Sequence, residues 1–314
     1  MSQISSCLFS SWVLAWMMME LSTVVSLALM MNRLPKKSLN QSSVASYFIF
    51  QSFTGLFVLV GGFFVFVQSS NSNFAMMFFV VSLLSKLGVV PFHFWVMGVY
   101  TYCSKEGLVP VMLINKFSPL MFLAALPNNC LVDLLLGCVA SLSVLVGSML
   151  SLGSNHTQML LAASSITHTG WLVFGLLTNN LLLYYTCYVC SFGIFYFTWV
   201  SKKKALTSVT FFSLSGLPPY VLFSPKILII FALQQNNMVI LLAPLVLAII
   251  ISLYAYMSMA YYLWFTNMES VVCDGRSSDE YTNIKVPLFR YNMCLTTKFM
   301  TLYHQVFDSL DLKL

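Results

Sequence analysis

The sequence predicts an all-α membrane protein, a polytopic helical bundle of about ten transmembrane helices. Three observations support this fold class. Hydrophobic residues make up 59% of the 314 residues and charged residues only 8%, whereas a soluble domain carries about 25% charged residues. The apolar residues are grouped in runs of about 20, the length that crosses a bilayer. Prolines interrupt two of these runs at a depth where lipid offers the backbone no hydrogen-bond partner.

Nine apolar runs are predicted to be membrane spans. Short polar loops separate them, so consecutive spans are expected to alternate in direction. Their approximate limits are 8–31, 44–67, 74–99, 108–126, 131–151, 156–178, 180–200, 208–234 and 238–265. Together they predict a transmembrane bundle over residues 1–265.

The last part of the chain, 266–314, is more polar. It begins with a connection from Thr266 to Val286 that is rich in charged residues and is therefore expected to be solvated. A tenth apolar run, 287–309, follows and holds Arg290, Lys298, His304 and Asp308. We expect this weak C-terminal helix to be either a poor span or a helix lying in the membrane interface.

Basic residues lie in the loops on one side of the predicted bundle. With nine alternating spans, the loops after the first, third, fifth and seventh spans hold seven basic residues, and those after the second, fourth, sixth and eighth hold none. By the positive-inside rule, the basic loops face the cytoplasm-like side of the membrane. The net charge of +6 thus reflects topology, and the absence of a basic soluble domain excludes nucleic acid as a partner. The seven residues are Arg33, Lys36, Lys37, Lys105, Lys202, Lys203 and Lys204.

Two of the spans are predicted to be discontinuous. The third contains Pro91, five residues after Lys86, and the eighth is interrupted at Gly216–Pro219 and again at Pro225, just before Lys226. Proline removes a helix hydrogen bond and clashes with the preceding turn. A charge beside a broken helix at membrane depth is typical of an ion or proton site.

Four ionisable residues are predicted to lie deep inside spans: Glu20, Lys86, Lys116 and Lys226. Twelve residues of helix rise about 18 Å, which is near the middle of the bilayer core. Snorkelling explains a buried lysine only near the end of a span, so a row of protonatable groups across the membrane plane is the favoured interpretation. Burial disfavours the charged form of each group. Approach of Glu20 to one lysine would hold that lysine charged, and its withdrawal would favour proton release.

His168 and His93 are further candidates for proton transfer. His168 lies mid-span among serines and threonines, which together with an imidazole can carry a proton along a hydrogen-bonded chain. The alternative is that these polar side chains hydrogen-bond between helices.

Cys187 and Cys190 form a C-x-x-C pair without a second pair nearby. No nucleotide loop, iron–sulfur thiolate set or haem motif is found in the sequence, so no redox centre or cofactor is expected in this chain.

Six motifs stand in order from residue 12 to residue 256. They are Trp12-x-x-x-Trp16-x-x-x-Glu20; Lys86-Leu87-Gly88-x-x-Pro91-Phe92-His93-Phe94-Trp95-Val96; Asn115-Lys116-Phe117-Ser118-Pro119; Ser164-Ser165-Ile166-x-His168-x-Gly170-Trp171; Ser213–Pro219 with Phe223-x-Pro225-Lys226; and Ser252-Leu253-Tyr254-x-Tyr256. With these motifs the sequence resembles the subunit 2 family of mitochondrial NADH:ubiquinone oxidoreductase (respiratory complex I), whose members are antiporter-like, proton-translocating membrane subunits.

The resemblance implies roles for the buried charges. Lys86 would pair with Glu20, Lys116 would be a central relay, and Lys226 would lie on the exit side of the proton pathway. The chain would lie in the mitochondrial inner membrane among other membrane subunits of complex I, with its basic loops on the matrix side. NADH, FMN, iron–sulfur clusters and ubiquinone would be bound by partner subunits. One departure is that Met97-Gly98 stands where the family usually has Pro-Glu.

Two other functions remain open at this point. The same lysines would suit a free-standing cation/proton antiporter, which should be stable and active as a single purified chain. A structural scaffold subunit without its own proton pathway is the third possibility. It predicts that neutralising Lys116 or Lys226 changes only stability.

Overall fold

The computed structural model describes residues 11–31, 38–67, 73–102, 105–127, 129–154, 156–201 and 203–273, and the secondary structure of these residues is helical throughout. Two compact units can be distinguished within it. The first comprises the described residues up to Leu182 together with Ala232–Ser252, and the second comprises Leu183–Phe231 and the described residues from Leu253. The predicted tenth run, 287–309, and the basic residues Arg33–Lys37 and Lys202 lie outside the described residues.

Twelve α-helices are described in these ranges. The helices before the middle of the chain are α1 (Trp12–Met31), α2 (Ser38–Gly62), α3 (Asn73–Leu87), α4 (Phe94–Tyr102), α5 (Lys105–Val109) and α6 (Asn115–Ala124). The later helices are α7 (Cys130–Leu152), α8 (Thr157–Leu177), α9 (Leu181–Val200), α10 (Lys204–Ser215), α11 (Phe223–Gln235) and α12 (Leu242–Cys273).

Short segments of other helix types join some of these helices. The π-helical segment Phe63–Val67 continues α2, and the π-helical segment Pro110–Ile114 joins α5 to α6. A 3₁₀ turn, Val239–Leu241, precedes α12. A π-helical turn inserts an extra residue into the helix and is often found at functional sites.

Seven helical stretches in the described residues are long and apolar enough to cross a membrane, and they correspond to seven of the nine predicted spans. They are Trp12–Met31, Ser43–Phe66, Gly107–Ala124, Cys130–Leu152, Thr157–Leu177, Leu181–Val200 and Val239–Phe265. The remaining two predicted spans, 74–99 and 208–234, are the two that were expected to be discontinuous. Each consists of two shorter helices, α3 with α4 and α10 with α11.

The helices α3 and α10 end at glycines rather than at the prolines that follow. Gly88 has φ +73°, and Gly216 has φ +78°, a left-handed conformation that glycine adopts without a side-chain clash. The amides of Gly88 and Val89 donate to the carbonyls of Ser85 (3.1 Å) and Leu84 (3.3 Å), which is the Schellman arrangement of a helix C-terminus. The break therefore begins three residues before Pro91, which lies inside it.

Two predicted boundaries are wrong in detail. Pro225 was expected to interrupt the eighth span, but it lies in the first turn of α11, where a helix tolerates proline because the amide has no intrahelical partner there. The solvated connection was expected to start at Thr266, whereas α12 continues to Cys273. The residues between contain no glycine or proline to end the helix.

Helix α8 is buried along nearly its whole length, because small residues let it approach α7 closely. A Cβ at Gly170 would lie 2.4 Å from Ser143 Oγ and 3.0 Å from Ala140 O, and one at Gly147 would lie 2.7 Å from Thr167 Cγ2. Glycine at such contacts is the usual means by which membrane helices pack backbone to backbone. This packing places the polar middle of α8 inside the first unit.

Candidate functional site

Lys86 and Glu20 form an ion pair inside the first unit. The Nζ atom of Lys86, in the last turn of α3, contacts Oε1 of Glu20, on α1. The side chain of Lys86 is 2% exposed and that of Glu20 is 21% exposed. Thr23, one turn after Glu20, donates from Oγ1 to the Glu20 carbonyl at 2.7 Å and to Oε2 at 3.3 Å. Opposite charges in contact lower the cost of taking each out of water.

The break after α3 places Lys86 at a helix C-terminus. The carbonyl end of a helix carries a partial negative charge, which favours a cation. Gln51 of α2, 4% exposed, donates from Nε2 to the Lys86 carbonyl at 3.4 Å. The glycine-ended helix and the amide of α2 therefore hold the backbone from which the lysine reaches Glu20.

Lys116 lies two residues after the end of the π-helical segment Pro110–Ile114 and is 6% exposed. Its Nζ donates to the carbonyl of Ser165 on α8 at 3.0 Å. The same carbonyl accepts a hydrogen bond from Thr169 Oγ1, also at 3.0 Å. Among the described residues, no carboxylate lies within salt-bridge distance of Lys116. Lys116 is thus a buried amine with a neutral acceptor.

Lys226 belongs to the second unit. It lies in the first turn of α11, is 6% exposed, and donates from Nζ to the carbonyl of Ser215 at 2.8 Å. Ser215 is the last residue of α10, so the ammonium group lies at a helix C-terminus. Gly216 leaves the space for it, since a Cβ there would lie 2.9 Å from Lys226 Nζ.

The two histidines differ in their surroundings. His168 is 2% exposed on α8, one turn after Ser165, whose carbonyl binds Lys116. His93 is half-buried in the gap between α3 and α4, and its ring stacks on Phe94 with 4.4 Å between ring centroids. Nδ1 of His93 has no hydrogen-bond partner among the described residues. His168 is therefore well placed beside Lys116. The position of His93 gives weaker support for a role beside Lys86.

One interpretation of the sequence expected the hydroxyl groups around His168 to donate hydrogen bonds to other helices. They donate within α8 instead. Ser164, Ser165, Thr167 and Thr169 are buried, and each donates to a carbonyl three residues earlier in α8 at 2.7–2.8 Å. Their oxygens can still accept hydrogen bonds.

Comparison with known proteins identifies the family. A model of the family described as "NADH:quinone oxidoreductase/Mrp antiporter, TM" matches residues 10–205, more than half of the chain. NADH-ubiquinone oxidoreductase chain 2 of Albinaria caerulea is 30% identical over 266 residues, which cover 83% of this chain and 85% of that protein. The chain belongs to the NADH-ubiquinone oxidoreductase chain 2 family.

Solved structures share the fold of this family member at lower identity. A chain of respiratory complex I from Thermus thermophilus matches with a TM-score of 0.70 and 22% identity, over 80% of this chain and 65% of that chain. A chain of the Mrp complex from Dietzia sp. matches with a TM-score of 0.66 and 15% identity, over 80% of this chain and 56% of that chain. This chain therefore spans less than two thirds of either chain.

The structure of this NADH-ubiquinone oxidoreductase chain 2 family member adds a polar cluster that the sequence analysis did not single out. Asn115, the residue before Lys116, donates from Nδ2 to Tyr47 Oη at 2.7 Å and to Ser26 Oγ at 2.9 Å. Ser26 Oγ and Tyr47 Oη are 3.1 Å apart. The cluster ties α1, α2 and α6 together. Its one signal in the sequence was the position of Asn115 beside a buried lysine.

The described residues offer no group of three or more His, Cys, Asp or Glu side chains that could hold a metal ion. Cys187 is half-buried and Cys190 is exposed, both as free thiols on α9. The candidate groups in the described part of the chain are acid–base groups. They are the partly buried carboxylate of Glu20, the buried amines of Lys86, Lys116 and Lys226, and the buried imidazole of His168.

Proposed function

We propose that this chain is a core membrane subunit of respiratory NADH:ubiquinone oxidoreductase and takes part in proton translocation across the mitochondrial inner membrane. The observation that carries the proposal is the ion pair between the buried Lys86 and the partly buried Glu20 at a broken helix. Glu20, Lys86, Lys116 and Lys226 are the residues of the pathway, and His168 and His93 assist proton transfer near them. Family membership supports the assignment of the chain to the enzyme.

The ion pair can act as an electrostatic switch. Two unit charges 4 Å apart attract by about 4 kcal/mol at an effective dielectric constant of about 20, and by about 2 kcal/mol at 8 Å. Moving the Glu20 carboxylate about 4 Å away from Lys86 would therefore change the proton equilibrium of Lys86 by about 30-fold. A small movement of α1 relative to α3 is enough to load or release a proton.

Lys116 suits the role of relay because, among the described residues, it binds a backbone carbonyl rather than a carboxylate. Lys226 also donates to a backbone carbonyl. A carbonyl accepts a hydrogen bond from either the ammonium or the neutral amine. The lysine is thus held in place in both protonation states, while its charge follows the state of its surroundings. A relay needs this combination of fixed position and variable charge.

The remaining chemistry of the enzyme is assigned to other subunits. NADH, FMN, iron–sulfur clusters and ubiquinone are bound by partners, so this chain is the non-redox, translocating part of the reaction. Its partners are the other membrane subunits and the lipid bilayer. The basic loops, Arg33–Lys37, Lys105 and Lys202–Lys204, face the matrix.

The test uses the assembled enzyme in sealed vesicles, where NADH oxidation and acidification of the lumen are followed together. Lys86→Met and Glu20→Gln should lower pumping-coupled turnover by about tenfold or more, because a positioned proton-transfer group contributes at least that factor. Assembly should persist, since each substitution keeps most of the side-chain volume. The matched control is Lys203→Met, which removes an exposed lysine. Unchanged pumping in either Lys86→Met or Glu20→Gln would contradict the proposal.

A free-standing cation/proton antiporter is the second candidate, because the matching family model also covers Mrp antiporters and a Mrp chain shares the fold. The chain alone, purified and reconstituted in liposomes, distinguishes the two. Cation-driven proton movement by the single chain would favour the antiporter. Activity that depends on partner subunits favours the proposed function.

A further inference from the structure

The Glu20 carboxylate lies across the backbone of α2 at Gly55. A Cβ at position 55 would lie 2.1 Å from Glu20 Oε1, 2.8 Å from Glu20 Cδ and 3.1 Å from Oε2. The carboxylate supplies all three of these nearest atoms, so it occupies the space that any other residue at 55 would fill. Gly55 is itself buried. The ion pair between α1 and α3 therefore passes through a gap that exists only because α2 has no side chain at this point.

The same stretch of α2 also forms hydrogen bonds to the two helices that carry the ion pair, α1 and α3. Trp16, one turn before Glu20, donates from its indole Nε1 to the Gly55 carbonyl at 2.8 Å. Gln51, one turn before Gly55, donates to the carbonyl of Lys86. Residues four apart lie on one face of a helix. One face of α2 thus holds α1 through Trp16 and the end of α3 through Gln51, with the carboxylate between them.

We propose that Gly55 is a positioning residue for the Glu20–Lys86 pair: its missing side chain sets the path by which the carboxylate reaches the lysine. The inference rests on the proposed function, because it assigns Gly55 to the same proton pathway. Gly55 does not take up a proton itself. The space at position 55 is filled by the Glu20 carboxylate. The effects of substituting Gly55 and of substituting Glu20 should therefore not be independent.

The test variant is Gly55→Ala in the assembled enzyme in sealed vesicles. The added methyl group must displace the carboxylate, and a misplacement of about 1 Å can cost up to about 100-fold in rate. We therefore expect pumping-coupled turnover to fall by about tenfold or more. Alanine favours a helix over glycine, so a loss cannot come from weaker helix formation. Gly193→Ala is the matched control, because it makes the same change inside α9, where no atom beyond the local helix backbone lies within 4 Å of the new Cβ.

A double-mutant cycle with Glu20→Gln separates positioning from a general structural role. If Gly55 acts only through the Glu20 charge, the variant with both substitutions pumps no less than Glu20→Gln alone. An equal further loss in the Glu20→Gln background would overturn the inference, as would normal turnover in Gly55→Ala. Normal turnover in Glu20→Gln itself would instead overturn the proposed function.

A second variant covers the case in which Gly55→Ala does not assemble. Glu20→Asp shortens the side chain by one methylene and draws the carboxylate away from position 55. The Gly55→Ala/Glu20→Asp variant should then regain assembly, since the clash involves the carboxylate of Glu20. Failure of this double variant to assemble would show that position 55 matters for another reason and would end the inference.

Discussion

The Nζ atom of Lys226 lies 2.8 Å from the carbonyl oxygen of Ser215, so a lysine in the first turn of α11 binds the last residue of α10. The two halves of the broken helix are thereby joined across the gap at Gly216. Lys86 stands at the corresponding end of α3, in its last turn before Gly88. Both breaks therefore combine a left-handed glycine with a buried lysine at the carbonyl end of a half-helix.

Gly216→Ala should destabilise the second unit. At φ +78° a residue with a Cβ pays about 1–2 kcal/mol. The new Cβ would also lie 2.9 Å from Lys226 Nζ and 3.2 Å from its Cδ. We expect a lower midpoint of thermal unfolding in the purified enzyme and weaker proton pumping. Gly153→Ala is the control, since its backbone is not left-handed and the nearest atom lies 3.9 Å away. Equal midpoints for the two variants would contradict the prediction.

Lys116→Met should lower pumping-coupled turnover while the enzyme still assembles. The methionine fills a similar volume, and the Ser165 carbonyl keeps its hydrogen bond from Thr169 Oγ1, so no buried acceptor is left without a partner. The loss of a positioned relay is expected to cost about tenfold or more in rate. Turnover is measured in sealed vesicles beside Lys204→Met, which removes an exposed lysine. Normal pumping by Lys116→Met, with changed stability alone, would favour a scaffold role.

Tyr47→Phe should weaken the attachment of α6 to α1 and α2. Tyr47 is 1% exposed, and its hydroxyl contacts both Asn115 and Ser26. Removing the hydroxyl leaves one N–H of the Asn115 amide without its acceptor, at a cost of about 1–3 kcal/mol. Thermal unfolding of the purified enzyme measures this cost. Tyr254→Phe removes the hydroxyl of a tyrosine that is 67% exposed and should have little effect. A stability for Tyr47→Phe equal to that of the unmutated enzyme would rule out a structural role for the cluster.

The sequence predicted the spans and the broken helices because both depend on composition and local backbone chemistry. Apolar runs must span the bilayer, and glycine followed by proline stops a helix at any depth. The sequence predicted the interruption at Pro91, whereas α3 already ends at Gly88. The left-handed glycine lies three residues before the proline and ends the helix there. The π-helical segment before Lys116 was missed, since no local sequence rule separates it from an α-helix.

The partners of the buried lysines could be predicted only in part. Glu20 is the one carboxylate predicted to lie deep inside the nine spans, which marks it as a partner for a buried lysine. The resemblance implied that this lysine is Lys86. Ser165 and Ser215 serve through backbone carbonyls, which every residue possesses, and no residue type marks them. The position of Gly55 beside the Glu20 carboxylate could not be predicted either, because the space at Gly55 depends on how α1 packs on α2.

Gly170→Ala should disturb the packing of α8 on α7. Its Cβ would lie 2.4 Å from Ser143 Oγ, 2.5 Å from Val144 Cγ2 and 3.0 Å from the Ala140 carbonyl. Since the last of these is backbone, the helices must separate, and overpacking of this kind costs about 1–3 kcal/mol.

The Gly170→Ala effect is measured as the midpoint of thermal unfolding and as the yield of assembled enzyme. Gly137→Ala, on α7, is the milder comparison, because its nearest neighbour at 3.1 Å is the end of the flexible Leu241 side chain. We expect Gly170→Ala to lower both quantities more than Gly137→Ala does. The separation would also move Ser165 away from Lys116, so pumping should fall further than stability alone explains. A Gly170→Ala enzyme with normal yield and pumping would show that α7 and α8 are not held at backbone contact.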